Sequence, residues 1–453
     1  MKKLNEIKTV YFLGIGGIGM SALARYFKAM GAQVGGYDRT PTALTDELAK
    51  EGMEIIFEDD VNKMPKEVDL VVYTPAIPAN HQGLNFYRDN NYELRKRSEV
   101  LGIISADKFT IAVAGSHGKT TVSAMIAHIL THSEFGCSAF LGGIAVNYNA
   151  NFIQGYNDVV VIEADEFDRS FHRLAPDMAV ITAVDTDHLD IYGTKEAIDE
   201  AFITFAEKIA EDGFLVIKNE QSIQDKLPVL DKAFYSLNDE TADVFCSKYW
   251  VTDGGYLFSL SYYGKVSTGW RLNIGGFHNI ENAIAAITIA KELKITDEKI
   301  KSALASFKGI KRRFEKLVDK PSVVYIDDYA HHPEEIRVLL ESVIEIYPDR
   351  KITAIFQPHL FSRTRDLASE FAQALSLVDE VVLLDIYPAR ELPMEGVTSA
   401  LIFDEINTAE KVMVSKDEVL AYLSNRPLDV VLTIGAGDID KLVSPLATML
   451  SAR

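Results

Sequence analysis

Short apolar runs alternate along most of this chain with segments in which apolar residues recur every three or four positions. That alternation predicts strands separated by helices. Near the N-terminus the strands fall at 9–13, 34–37 and 70–73, with helical patterns over 20–30 and 44–51 between them. A second block opens with a strand at 109–114 and continues through 158–162, 178–182 and 214–217. Between 241 and 272, aromatic and β-branched residues alternate around Gly254-Gly255 and Gly264, the pattern of a small antiparallel meander. Helical periodicity returns over 279–293 and 297–307. A third block starts near Arg312, with strands at 323–326, 352–356, 381–384 and 430–434, each followed by a helix-like segment. Strand–helix repetition of this kind builds parallel sheets from βαβ units, so three α/β domains are expected, over 1–106, 107–311 and 312–453.

The join between the second block's first strand and helix carries the strongest chemistry. Gly115-Ser116-His117-Gly118-Lys119-Thr120-Thr121 lies between the run 109–114 and a helical segment over 122–130. Glycines permit a tight turn, the freed amides and helix N-terminus attract anions, Lys119 reaches outer phosphates and the Thr120 hydroxyl suits Mg²⁺. The first glycine of the longer motif would fall at Val113, so this is the shorter G-x-x-G-K-T-T form. It points to ATP or GTP, with Lys119 expected as an exposed loop lysine.

A second glycine loop, Gly14-Ile15-Gly16-Gly17-Ile18-Gly19, follows the first strand, and Asp38 ends the second, where an acidic residue can meet a ribose hydroxyl. The pattern suits NAD, any other pyrophosphate, or a purely structural turn. With a phosphate loop further along the chain, a nucleotide-linked substrate plus a separate triphosphate is as good a reading.

Acidic clusters follow two successive strands: Glu163-Ala164-Asp165-Glu166-Phe167-Asp168 and Asp185-Thr186-Asp187-His188-Leu189-Asp190. Carboxylates beside a phosphate loop are expected for hard-cation sites, and solvated loop charge is the plainer alternative. Asn279 and Asn282 share one face of a first helical turn, suited to a base edge, although helix capping by Asn279 explains much of that pattern. Lys311-Arg312-Arg313-Phe314 offers guanidinium groups for phosphate, or a solvated basic hinge. Pro333 fits the first position of a helix after Asp327-Asp328-Tyr329-Ala330-His331-His332. Gln357-Pro358-His359-Leu360-Phe361-Ser362-Arg363 repeats that strand-to-helix placement. Six of the ten histidines, His117, His188, His278, His331, His332 and His359, lie in these segments. A random surface distribution does not account for that concentration.

Composition narrows the partners. The chain has 453 residues, 47% hydrophobic and 25% charged, enough for a sizeable core. With 46 Lys plus Arg against 66 Asp plus Glu, the net charge of −20 argues against nucleic-acid binding and against docking on anionic membrane. Small-molecule substrates are expected instead. The two cysteines, Cys137 and Cys246, support neither a disulfide framework nor a thiolate metal site. No apolar stretch reaches the roughly 18 residues of a membrane span, and the lysine-bearing start lacks a signal-peptide core, so the cytoplasm is the expected compartment.

In their order along the chain, G-S-H-G-K-T-T, E-A-D-E-F-D, D-H-L-D, H-N-I-E-N, R-R-F, D-D-Y-A-H-H-P and F-Q-P-H-L-F-S-R-T-R closely resemble the motifs of the Mur ligases. The resemblance implies a Rossmann-like UDP-binding domain and a central P-loop ATPase-like domain, whose mostly parallel sheet carries a small antiparallel meander. A C-terminal Rossmann-like α/β domain would present the amino acid. It implies ATP-dependent ligation of L-alanine to the lactyl carboxylate of UDP-N-acetylmuramate through an acyl phosphate, in peptidoglycan precursor synthesis. ATP and Mg²⁺, with Mn²⁺ as an alternative, would be the cofactors.

By the same resemblance, Gly115, Ser116, His117, Gly118, Lys119, Thr120 and Thr121 would hold ATP phosphates, and Thr120, Glu163 and His188 would surround the cation. Asn279 and Asn282 would contact the nucleotide, Arg313 its phosphates and Asp328 its ribose. Tyr329, His359 and Arg363 would line the amino-acid site. Gly14, Gly16, Gly17, Ile18, Gly19 and Asp38 would receive the UDP-sugar, and Lys119, Glu163, His188 and Arg313 would carry catalysis. Leu360 departs from the family, which has arginine there. Two alternatives are a ligase attaching a whole tripeptide to the same UDP-sugar and, in another class, a nicotinamide-dependent oxidoreductase, which would leave Lys119 unused. A non-catalytic nucleotide sensor would leave the C-terminal motifs unused.

Overall fold

The computed structural model describes residues 4–167, 169–185, 189–228, 230–252, 254–389 and 391–453. The chain is α/β throughout and carries three sheets. The first is all parallel, in the spatial order Glu54–Ile56, Gln33–Tyr37, Thr9–Leu13, Leu70–Tyr73, Leu94–Lys96. Its order reverses between Thr9–Leu13 and Leu70–Tyr73, and a crevice for ligand opens at such a switch point, outside the carboxyl ends of the strands.

The second sheet runs Lys265–Leu272, Gly255–Tyr262, Val244–Thr252, Asp231–Ser236, Phe214–Lys218, Met178–Ile181, Phe109–Ala114, Val159–Glu163, Ser138–Ala145, Ala150–Ile153. Phe109–Ala114, Val159–Glu163 and Met178–Ile181 are nearly continuous in apolar residues because parallel strands in the middle of a sheet are covered on both faces. The third sheet runs Glu315–Lys320, Val323–Asp328, Val430–Ile434, Ile352–Phe356, Glu380–Leu383, Glu410–Met413, parallel except for its first strand. The predicted meander is therefore present. No helix among the described residues is long and apolar enough to cross a membrane.

Two compact units emerge from the packing. One comprises Met1–Ser247, Ser259–Thr268 and Glu281–Ala305; the other comprises Lys248–Phe258, Gly269–Ile280 and Ser306–Arg453. Within the first unit one apolar core is continuous from Phe12, Leu23 and Phe27 to Phe140, Phe152 and Ile162. The helix Ile18–Ala29 joins the first two sheets, with Tyr26 packed edge-on against Phe152.

A buried polar knot fixes that junction. The fully buried amide of Asn151 donates to the Ile18 carbonyl and, at 2.9 Å, to the Ser21 hydroxyl, while its oxygen accepts from Arg25. Arg25 is held in turn by Glu51 at 2.7 Å. Every partner in such a knot is geometrically specified, so it sets the angle at which the helix meets the sheet.

Candidate active site

The phosphate-loop sequence turns sharply off the end of Phe109–Ala114. Gly115 adopts φ +134°, and a Cβ there would lie 2.0 Å from the Thr182 hydroxyl, so only glycine fits. Gly118, at φ +80°, caps the helix Lys119–His132, and its missing Cβ leaves space that the Asn282 side-chain oxygen approaches. The segment that follows the strand Met178–Ile181 holds the loop: the Ser116 amide donates to the Ala183 carbonyl at 2.9 Å, the Ser116 hydroxyl accepts from the Asp185 amide, and the Thr182 hydroxyl donates to the His117 carbonyl. His117 is exposed, 3.6 Å from Asp185, and Thr121 occupies the first turn of the helix.

Lys119 is not the exposed loop lysine expected from sequence. Its ammonium donates to the Gly115 carbonyl and to Glu166, both at 2.7 Å, and its side chain is only 16% exposed against 4% for Glu166. One residue along, the Thr120 hydroxyl donates to Glu163 at 2.9 Å, whose other oxygen accepts from the Gly142 amide at 2.8 Å. Burial pushes both carboxyls up from their ordinary range, against the pull of the Lys119 charge. A desolvated carboxylate beside a hydroxyl is a hard-oxygen pair that a divalent cation would suit. His188, the third expected cation ligand, lies outside the described residues. Glu166 and Gly142 were not singled out from sequence; Glu166 was visible inside its acidic motif, whereas Gly142 has no local signal.

The other glycine loop, also in the first unit, ends the strand Thr9–Leu13. The Gly14 and Ile15 amides donate to the Tyr37 carbonyl at 2.7 and 3.0 Å, and Gly17 begins the helix Ile18–Ala29 with Gly19 in its first turn. A helix N-terminus preceded by glycines is an anion cradle. Asp38 accepts from the Gly16 amide at 2.8 Å and from the Thr40 amide at 3.2 Å, so in this structure its carboxylate closes the loop.

The second unit collects the C-terminal motifs. Asn279 lies inside the helix His278–Glu292, where its amide donates to the Gly275 carbonyl at 2.7 Å and ties down the preceding turn. Arg312 and Arg313 both lie over the Tyr329 ring, at 5.2 and 5.6 Å. Arg312 is further engaged by buried Asp327 at 3.1 Å and by the Gly435 carbonyl at 2.6 Å, which makes it a structural anchor.

Asp328 accepts from the Phe314 and Ala330 amides at 2.6 and 2.8 Å, and burial pushes its carboxyl up to about 6 despite Arg313 and those amides. A carboxyl with a folded-state pKa above its unfolded value of about 3.9 binds more protons when folded, so its stabilisation is lost as pH rises from about 4 to about 6. Asp328→Asn removes that loss. Urea midpoints of the variant should rise relative to wild type between about pH 4.5 and 6.5. A constant difference would mean that Asp328 titrates alike folded and unfolded.

At the end of Ile352–Phe356, His359 stacks on Tyr387 with ring centroids 5.9 Å apart and meets His331 edge-on at 6.0 Å. His331 is oriented by the Tyr329 carbonyl, 3.0 Å from its Nδ1, and Arg363 approaches the His331 carbonyl at 3.5 Å. Leu360 starts the helix Phe361–Asp366 at φ +73°, a backbone conformation costing a bulky residue on the order of 1–3 kcal/mol. Tyr329, His359 and Arg363 therefore gather at one place, joined by His331 and by Tyr387, which carried no motif signal.

Comparison with known proteins places the chain in a family. Residues 9–109 match the Mur ligase family catalytic domain, 113–290 the Mur ligase middle domain, and 312–437 the Mur ligase glutamate ligase domain. A UDP-N-acetylmuramate–L-alanine ligase of Porphyromonas gingivalis is 51% identical across 98% of this chain and 99% of its own. One from Flavobacterium johnsoniae is 47% identical across 99% of each. The crystal structure of a UDP-N-acetylmuramate–alanine ligase from Thermotoga maritima superposes with a TM-score of 0.85 at 29% identity, covering 99% of this chain and 100% of that one. A murein peptide ligase from Psychrobacter arcticus shares the fold, with a TM-score of 0.71 at 23% identity over 98% of each chain. With matches to three of its domains and half-identical relatives over its length, the chain belongs to the Mur ligase family.

Proposed function

We propose that this chain is an ATP-dependent ligase that joins L-alanine to the lactyl carboxylate of UDP-N-acetylmuramate, giving UDP-N-acetylmuramoyl-L-alanine, ADP and phosphate for peptidoglycan synthesis. The observation that carries the reading is the pairing of Lys119 with Glu166 and of Thr120 with Glu163 at the phosphate loop, in a chain alike over its whole length to ligases of that name. Lys119 is held ready by a carboxylate and transfers to phosphate oxygens when a nucleotide enters. Thr120 and Glu163, with His188, would hold Mg²⁺ or Mn²⁺, which supplies charge neutralisation to the phosphates.

The substrate carboxylate attacks the γ-phosphorus, ADP leaves, and the alanine amine then attacks the acyl carbon of the acyl phosphate, expelling phosphate and losing a proton. The protein contributes position and charge in these steps. Gly115, Ser116, His117, Gly118 and Thr121 line the phosphates, while Asn279, Asn282, Arg313 and Asp328 serve the nucleotide. Gly14, Gly16, Gly17, Ile18, Gly19 and Asp38 receive the UDP moiety, and Tyr329, His359 and Arg363 the amino acid. The three domains of the reading are 1–106, 107–311 and 312–453, and the proposed compartment is the cytoplasm.

Phosphate release tests this directly. It should require UDP-N-acetylmuramate, ATP and L-alanine together, stop on chelation of divalent cations and resume with Mg²⁺ or Mn²⁺. Release of phosphate from ATP at the same rate without the UDP-sugar, or undiminished turnover in chelator, would overturn the reading.

A further inference from the structure

Arg97 belongs to none of the motifs above, yet its guanidinium touches two of the loops. It opens the helix Arg97–Ala106, directly after the edge strand Leu94–Lys96. A Cβ on Gly19 would lie 2.6 Å from one guanidinium nitrogen and 3.1 Å from Cδ, so the arginine lies flat on the first turn after the glycine cradle. The other terminal nitrogen donates to Asp165 at 3.1 Å, in the acidic loop that also carries Glu163 and the Lys119 partner Glu166. Gly19, Arg97, Asp165 and Lys119 all belong to the first compact unit.

From this placement we propose that Arg97 binds the lactyl carboxylate of the UDP-sugar, exchanging its resting partner Asp165 for the substrate and so positioning that carboxylate for phosphoryl transfer. The inference rests on the function proposed above. That substrate carries a diphosphate at one end and a carboxylate at the other. With the diphosphate on the cradle at Ile18, the carboxylate must reach the phosphate-loop lysine past Glu163, Asp165 and Glu166, and those like charges repel it. Lys119 is committed to the phosphates, so the approach requires another cation.

Arg97 lies on that approach, and a planar guanidinium matches a carboxylate with two parallel hydrogen bonds. Its present partner is itself a carboxylate, so the exchange is like for like. Asp165 is 40% exposed and Arg97 22%, and pairs as wet as this contribute little to stability, so the exchange costs little. Once released, Asp165 retains a partner, because its other oxygen accepts from the Phe167 amide at 3.1 Å.

The test compares two UDP-sugars that differ in the lactyl ether. Titration calorimetry of UDP-N-acetylmuramate and UDP-N-acetylglucosamine against wild type, Arg97→Ala, Arg97→Lys and Asp165→Asn is read beside KM for each substrate. Arg97→Ala should weaken the muramate sugar and raise its KM by about 100-fold, the size expected for a lost charge-assisted partner. Binding of the glucosamine sugar and KM for ATP and alanine should stay within about threefold, and Arg97→Lys should recover part of the loss. Asp165→Asn should bind the muramate sugar no more weakly than wild type does. Equal weakening of both sugars would assign Arg97 to the diphosphate, and a parallel rise in KM for ATP would assign it a purely structural role. Either result overturns the inference, as does unchanged muramate binding in folded Arg97→Ala. Failure of the wild-type protein to bind the muramate sugar would instead overturn the proposed function.

Discussion

Lys119→Ala should lower ligation by about 10³-fold, the scale on which a preorganised cation stabilises charge developing on a transferred phosphoryl group. The same substitution should also reduce stability, because Glu166 is buried against that ammonium. Leaving a buried carboxyl without its charged partner costs about 1–3 kcal/mol. Burial raises the Glu166 pKa, so protonation relieves the cost, and the destabilisation should shrink as pH falls. Lys119→Ala combined with Glu166→Gln should therefore regain most of the lost melting temperature and none of the turnover. Recovery of activity together with stability would mean that the lysine serves the fold, and near wild-type turnover in the single variant would remove the phosphate-loop assignment.

Arg363→Ala should raise KM for alanine steeply while leaving KM for the UDP-sugar and ATP in place. Loss of a charge-assisted partner for the alanine carboxylate is worth about 2–5 kcal/mol when buried, and half-buried Arg363 points to the lower part of that range, about 30- to 100-fold. Leu360 supplies no second cation beside it. Side-chain discrimination should be weaker, since one methyl in an apolar pocket is worth about 1–3 kcal/mol, so glycine and serine should be poor but measurable substrates. A panel of L-alanine, glycine, L-serine and L-Ala-γ-D-Glu-diaminopimelate, read by mass spectrometry of the UDP product, checks both points. An unaltered alanine KM moves the carboxylate site away from Arg363, and preference for the tripeptide transfers the chain to a different ligase of the family.

The interior strands were legible because burial on both faces leaves little but Val, Ile, Ala and Leu: Thr9–Leu13, Phe109–Ala114, Ile352–Phe356 and Val430–Ile434 were found at their true ends. Edge strands were not. Leu94–Lys96 and Glu315–Lys320 carry charges because one side meets water, and on a local pattern they read as loop. The backbone turn at Gly115 and Gly118 was equally legible, since few residues other than glycine accept those angles.

What escaped was long-range pairing. Glu166 lies 47 residues from Lys119, Arg97 lies 68 from Asp165, and Tyr387 reaches His359 from a segment without a motif. Asp38 shows the same limit: it directly follows the strand Gln33–Tyr37, and the amides of Gly16 and Thr40 that engage its carboxylate belong to the folded loop, which no local pattern displays.

Asn151 fastens the helix that begins at the first glycine loop to the sheet that ends at the phosphate loop, so the span between those two loops is set by a helix, a sheet and a buried amide. Such a span acts as a ruler for chemistry. On the assignment of UDP to the first loop proposed above, a single compound carrying uridine diphosphate at one end and a phosphonate at the other, joined by a stiff linker of matching length, should engage both loops without deforming the protein. Its second contact would form at an effective concentration fixed by the linker, so the two affinities would compound.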